Sequence, residues 1–349
     1  MKIPFSEGDR KKYFNLLNEV FDSNFWSEGR MVKRFEEKFT EAAGLQSMAV
    51  TNGGVALSAL FEFAGVKNHD VIVPANTFFA TAIAARRAGA DVVYADCNRD
   101  DLCISFEDIR RKVTKKTKAV CVVHIGGHIA FEIEEIAAFC KENGIHLIED
   151  CAHAHGASYN GKAAGSWGLG GAYSFYATKT MPLGEGGMVC SGNTNFIEWL
   201  KYYRNYGKHV EKGKVSYKLK NGFNFRMNEI TAALGIVQTE RLPEILSWKR
   251  RLAEKYNEIF ETRIKFPKGM KSGYYKYIVF DCELTEETGK VFSQSDFGPE
   301  IEGLAYDLPN SRWVAEHHQC VPIWHGWEHA DKPVQELSDF LIKRRAFND

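Results

Sequence analysis

An α/β architecture, with a mostly parallel sheet flanked by helices in a large unit and a smaller α+β unit behind it, is predicted by this sequence from three observations. Short apolar runs alternate with amphipathic stretches: "SMAV" precedes "GVALSALFEFAG", "DVIVPA" precedes "TFFATAIAARRAG", "DVVYAD" precedes "SFEDIRRKV", "KAVCVVHI" precedes "IEEIAAFCKENG", and "IHLIED" closes the series. Strands separated by helices run parallel, because each helix returns the chain across the sheet. Gly65, Gly89 and Gly144 stand where helical patterns stop, a few residues ahead of the next strand, as C-terminal capping glycines do. Later, "YYKYIVFDCE" alternates in the manner of an antiparallel strand.

The remaining elements follow in chain order. "AYSFYAT" and "MVCSG" read as strands on either side of the glycine-dense turn "GEGG", and "NFIEWLKYYRNYG" reads as a helix. A polar insert, "KHVEKGKVSYKLKNG", leads to a long helical run, "MNEITAALGIVQTERL", that is expected to end before Pro243. The basic stretch "SWKRRLAEKYNEIF" repeats Leu252, Tyr256, Ile259 and Phe260 at helical spacing and reads as a solvated amphipathic helix. We therefore place a boundary at Pro243, with a large unit over 1–242 and a small one over 243–349.

Composition excludes several functions. The 349 residues are 44% apolar and 13% aromatic, enough for a sizeable core. Forty-five basic residues balance forty-five acidic ones, so no net field attracts nucleic acid. The eight cysteines lie mostly in apolar runs and never form C-x-x-C, which reads as a set of reduced thiols in a cytoplasmic protein. The opening "MKIPFSEGDRKKYF" is charged and the mildest apolar stretch is broken by Pro74 and Asn76, so no membrane contact is expected. No G-x-G-x-x-G follows a predicted strand and no G-x-x-x-x-G-K-[ST] loop exists, which argues against a nicotinamide dehydrogenase and a nucleotide triphosphatase. "AEHHQCVPIWHGWEH" gathers His317, His318, Cys320, His325 and His329, but at no standard zinc spacing; it reads as a packed irregular segment without a metal.

Ligands of open parallel sheets bind beyond the carboxyl ends of the strands, so polar residues that end apolar runs are the candidates. Gly53 and Gly54 in "TNGG" open a helix, where free backbone N–H groups suit a monophosphate; a plain turn with Asn52 as N-cap fits the same residues. Asp150 ends "IHLIED", where its carboxylate either caps a turn or faces a buried cation such as a protonated pyridine nitrogen. Lys179 emerges from a strand at the same sheet edge, and burial there lowers the pKa of its amine and favours the free base that condenses with an aldehyde. Phosphate cradle, ring-nitrogen carboxylate and aldehyde-reactive amine together match pyridoxal 5'-phosphate. Phe78, just past another strand end, either stacks on the pyridine ring or packs in the core.

"EDCAHAHGA", "YSFYATKTMPLGEGG" and "NGFNFRMNEITAALG", in this order, resemble the DegT/DnrJ/EryC1/StrS sugar aminotransferases, a family of fold-type-I pyridoxal phosphate enzymes. The likeness runs from "WSEGRMVKRFEEKF" to "AALGIVQTERL" and is loose after Gly273. It implies that Lys179 bonds the cofactor, that Asp150 pairs with its ring nitrogen, and that Ser174 joins Gly53 and Gly54 at the phosphate. It also implies that Phe78 stacks on the ring and that Asn224 reaches the phosphate of a neighbouring subunit, so the enzyme would be a homodimer with shared sites. Two departures stand out: Asn52-Gly53-Gly54 replaces the usual Ser-Gly-Thr, and His153 replaces the Gln beside the phenolic oxygen. His155 is expected to pack inside the fold, while Tyr176 and Arg226 are candidates for substrate contacts. Relatives that dehydrate sugars carry histidine in place of the lysine, so Lys179 favours amino transfer over dehydration. The expected reaction takes an amino group from an amino acid, by resemblance glutamate, to a nucleotide-linked keto sugar. A non-catalytic regulator or scaffold on the same fold is the competing reading, supported only by the missing phosphate-binding hydroxyl.

Overall fold

A computed structural model describes residues 4–286, 288–293 and 307–342. Two helices, α1 (Glu7–Ser23) and α2 (Arg30–Ala43), precede the predicted alternation. Strands β1 (Gln46–Val50), β2 (Asp70–Pro74), β3 (Asp91–Ala95), β4 (Thr117–Val123) and β5 (His146–Asp150) are joined by α3 (Gly53–Phe63), α4 (Ala80–Arg87), α5 (Phe106–Lys112) and α6 (Ile133–Glu142). Gly65, Gly89 and Gly144 all adopt positive φ at the ends of their helices, the conformation that the sequence pattern demanded. A small hairpin, β6 (Ser158–Tyr159) and β7 (Lys162–Ala163), separates β5 from β8 (Gly170–Ser174) and β9 (Gly187–Ser191).

The seven long strands form one sheet in the order β1-β9-β8-β5-β4-β2-β3. Only β9 runs against the rest of that sheet. Register levels the strand ends that matter, since Asp150 pairs with Val123 on β4 and with Ala172 on β8. Side chains alternate across the sheet. Val120, Val122, Leu147 and Cys190 enter one core with α1, α2, α6 and the start of a long later helix; Ala119, Cys121, Ile148 and Val189 enter another with α3 and α4. Burying each of Phe35, Phe61 and Phe175 contributes about 1.5–3 kcal/mol.

Beyond β9 come α7 (Thr194–Tyr203) and the polar insert, which folds as a hairpin of β10 (Lys208–Glu211) and β11 (Lys214–Tyr217). Lys212 and Gly213 both take positive φ at its tip, the backbone that a tight hairpin turn requires. One helix of 31 residues, α8 (Glu229–Ile259), then passes straight through Pro243. The expected break is absent. A proline removes the N–H that would bond residue 239 and crowds that carbonyl, but Leu242, Ile245 and Leu246 are buried around it, so packing holds the helix together.

Two further strands, β13 (Tyr277–Phe280) after the short β12 (Met270–Lys271) and β14 (His318–Val321), pair antiparallel as the alternation in "YYKYIVFDCE" predicted. Helices α9 (Pro309–His317) and α10 (Val334–Leu341) complete the described chain. Because α8 crosses it, we propose the two-unit division on packing instead: a third hydrophobic cluster draws its buried members from Leu252 to Leu341. Among the described residues, no helix is long and apolar enough to cross a membrane.

Candidate active site

Parallel strands bring their carboxyl ends to one edge, and the segments leaving β1, β2, β4, β5 and β8 meet there. After β1, the Asn52 side chain accepts from the Val55 N–H at 2.9 Å and caps α3. The N–H groups of Gly53 and Gly54 belong to the first turn of α3 and have no acceptor within the helix. A Cβ added to Gly53 would stand 2.9 Å from the Ser174 Cβ, so glycine is what brings the helix terminus against the end of β8. Gly187 does the same from β9, where a Cβ would fall 2.4 Å from the Asn52 carbonyl carbon. Gly53 and Ser174 are thus brought together, with the Gly54 N–H next along the same helix terminus.

Adjacent acids at the end of β5 face opposite ways. Glu149 is fully buried and accepts from the N–H groups of Gly165, Trp167 and Gly168 and from His124 at 3.0 Å, which makes it a structural anchor. Asp150 turns to the other side. Its carboxylate accepts from the Ala152 N–H at 3.0 Å and the Thr81 hydroxyl at 2.9 Å, and Thr77 lies 2.9 Å behind Thr81. Burial pushes the Asp150 pKa up, while those two donors and the nearby Lys179 ammonium pull it back. A cation seated against Asp150 would favour its charged form further.

The segment after β8 folds back on itself, with the Lys179 N–H donating to Tyr176 C=O at 2.9 Å and the Leu183 N–H to Phe175 C=O at 2.9 Å. This turn holds the Lys179 amine 5.0 Å from the centre of the Tyr275 ring. Burial lowers the Lys179 pKa to about 8; Asp150 opposes that shift and the Lys276 ammonium adds to it. Tyr275 in turn stacks on His153, with ring centres 4.0 Å apart and planes 17° from parallel. Gly127, at φ +102, lets them meet, because a Cβ there would lie 2.5 Å from the Tyr275 nitrogen and 3.0 Å from the His153 oxygen. His153 Nδ1 is buried without a hydrogen-bond partner, and burial next to Lys179 and Lys276 holds its pKa well below the ordinary histidine range.

The other predicted residues are spread more widely. Phe78 follows Thr77 and is 61% exposed, with its ring against Phe79 at 4.0 Å; it is not a core residue. Tyr176 is half-exposed beside Lys179, and His155 packs inside against Tyr173 and Phe175 as expected. Asn224 is exposed and bridges to Asn205, while Arg226 donates to the Asn205 side chain at 2.6 Å and lies 3.8 Å from Glu28. The C-terminal histidines go to separate partners: His317 to Asp281, His318 to Val314 C=O, His329 to the Phe340 ring. Thr81, Gly127 and Tyr275 were not anticipated. Thr81 follows Thr77 by one helical turn, and the Gly126-Gly127 pair directly follows a strand end, so both had a sequence signal; Tyr275 had none.

Lys179, Asp150 and the Gly53–Ser174 cradle provide an amine, an anion and phosphate donors at one edge, and His153 adds an orphaned ring nitrogen. The donor set fits pyridoxal 5'-phosphate.

The profile of the DegT/DnrJ/EryC1/StrS aminotransferase family matches residues 8–296, further along the chain than the motifs alone reached. A GDP-perosamine synthase of Vibrio cholerae is 36% identical over 81% of this chain and 77% of its own length. A dTDP-4-dehydro-2,3,6-trideoxy-D-glucose 4-aminotransferase of Saccharopolyspora spinosa is 32% identical over 75% of this chain and 73% of its own. The crystal structure of the aminotransferase TlmJ from Streptoalloteichus hindustanus superposes with a TM-score of 0.82 at 26% identity, covering 97% of this chain and 95% of that one.

Proposed function

This chain belongs to the DegT/DnrJ/EryC1/StrS aminotransferase family, and on that premise we propose that it moves an amino group from glutamate to a nucleotide-linked keto sugar. The observation that carries this reading is Lys179: its amine is pushed to about 8 at the strand ends where Asp150 and the glycine cradle converge. Relatives named for GDP- and dTDP-linked sugars support a nucleotide-linked acceptor.

The cofactor in this reading is pyridoxal 5'-phosphate, which when bound supplies an aldehyde for the amine and a ring that takes up an electron pair. Gly53, Gly54 and Ser174 bind its phosphate, and Asn224 from a second subunit completes that contact. Asp150, oriented by Thr81, holds a proton on the ring nitrogen. The unpartnered His153 Nδ1 would be free to bond the cofactor's phenolic oxygen, and Phe78 would cover its ring. With the cofactor bound, the Lys179 Nζ would hold the proton that leaves the donor carbon and return it to the acceptor carbon. Tyr176 and Arg226 contact the acceptor. The protein acts as a cytoplasmic homodimer.

Incubating the protein with glutamate and a panel of nucleotide-linked keto sugars, read by mass spectrometry, tests this. One sugar is expected to gain an amino group in place of its carbonyl. Lys179→Ala is expected to lose the visible absorption of the bound cofactor and all turnover; full turnover in that variant would refute the reading.

A further inference from the structure

Behind Lys179 lies a cavity of about 330 Å³ that the proposed chemistry leaves unassigned. Gln238, Arg241, Ile245 and Lys249 project into it from one face of α8, spaced three or four residues apart. Tyr275 and Lys276 close it from the bend that precedes β13, and Trp324 and His325 from the segment after β14. Its lining holds the cations Lys179, Arg241, Lys249 and Lys276 and, among the described residues, no Asp or Glu.

The cations differ in how they are satisfied. Arg241 is paired with Asp9 at 3.1 Å, and Lys276 donates to Thr288. Lys179 has Asp150 nearby. Lys249 is 5% exposed, and its one hydrogen bond among the described residues is to Tyr274 C=O at 2.9 Å. A buried ammonium with one neutral acceptor and a second lysine close by is poorly compensated, and burial lowers its pKa to about 7. An anion in the cavity would supply the missing acceptor. Tyr274 also ties the ammonium to the backbone one residue from Tyr275, whose ring lies under the Lys179 amine, so the anion would sit beside the reacting group.

We propose that this cavity is a carboxylate-binding subsite centred on Lys249, which receives a substrate carboxylate while the reacting carbon lies at Lys179. The proposal rests on the aminotransferase reading for the identity of the substrate, but the subsite itself is a property of the cavity. Two sources share the chemistry: the side-chain carboxylate of an amino-acid donor, and a carboxylate on the acceptor sugar.

Glutarate, a dicarboxylate without an amine, is the probe. Its binding to the cofactor-loaded full chain is measured by calorimetry for the wild type, Lys249→Met and Lys249→Arg. Binding is expected to weaken about tenfold or more in Lys249→Met and to be largely kept in Lys249→Arg, since a buried charge partner is lost only in the first. If Lys249→Met fails to fold, the wild type and Lys249→Arg still decide: absence of glutarate binding in the wild type overturns the proposal. So does equal binding in wild type and Lys249→Met. The source is read from discrimination. Loss of preference for glutamate over alanine in Lys249→Met assigns the subsite to the donor; loss of preference for a 6-carboxylated over a 6-methyl keto sugar assigns it to the acceptor. Glutarate binding that depends on Lys249, in a protein that aminates no sugar, keeps the subsite and refutes the acceptor reading alone.

Discussion

Lys179 is useful because it is poorly solvated. Its pKa of about 8 means that the free base predominates above pH 8, whereas a solvated lysine reaches that point only near 10.4. Reductive modification of the cofactor-free protein by a small aldehyde, followed at Lys179 by mass spectrometry, is therefore expected to rise with a midpoint near pH 8; a midpoint above 10 would contradict the buried environment. Gly53 carries a steric requirement instead. In Gly53→Ala the new methyl meets Ser174, so helix and strand must part; affinity for pyridoxal 5'-phosphate is expected to fall about tenfold, roughly 1.4 kcal/mol, and the melting temperature to drop with it. Affinity equal to wild type in a cofactor titration would remove Gly53 from the cradle.

Helix α8 links the site to the frame. At its first residue Glu229 accepts from the N–H groups of Gly29, Met31 and Val32, and so caps α2 across the fold at 2.7–3.1 Å. Glu229→Ala strips two buried donors and one half-buried donor of their acceptor and is expected to destabilise the protein by about 2–4 kcal/mol in urea unfolding, as the loss of a charged cap does. Twenty residues on, Lys249 has the opposite sign. Its folded pKa of about 7 lies below that of an unfolded lysine, so the unfolded chain holds more protons between about pH 7 and 10.5 and stability rises with pH there. Lys249→Met is expected to abolish that part of the rise and to stabilise the cofactor-free protein at pH 7 by more than about 1 kcal/mol. A pH profile of stability unchanged by the substitution would show that the ammonium is solvated. The same helix marks where reading by local pattern stops. Pro243 is a helix breaker by its own chemistry, and only the burial of Leu242 and Leu246 by distant parts of the chain overrides it. By contrast, Gly65, Gly89 and Gly144 end their helices through backbone freedom that is local, and so were readable.

At the scale of the whole molecule, a single chain leaves Phe21, Phe25, Trp26, Tyr206 and Phe223 exposed, and Phe223, packed against Tyr206, directly precedes the Asn224 that the homodimer proposal assigns to a second subunit. Mixing Lys179→Ala with Asn224→Ala subunits tests that arrangement. Hybrid dimers carry one complete site, so activity is expected to exceed the sum of the parents and to approach about a quarter of wild type after random exchange. Activity no greater than that sum would mean each chain builds its site alone. Lys179, Asp150 and the Gly53 turn were legible because each lies at or just past the end of its own apolar run, and a parallel sheet sends those ends to one edge. Tyr275 and Lys249 were not, because a tyrosine and a lysine inside ordinary amphipathic pattern acquire a role only from what folds against them. The most direct test of the central claim is to load the protein with pyridoxal 5'-phosphate, reduce it with borohydride, digest it and find the lysine that carries the pyridoxyl mass. The label is expected on Lys179 alone; a label on Lys249 or Lys276, or none on any lysine, would contradict the account.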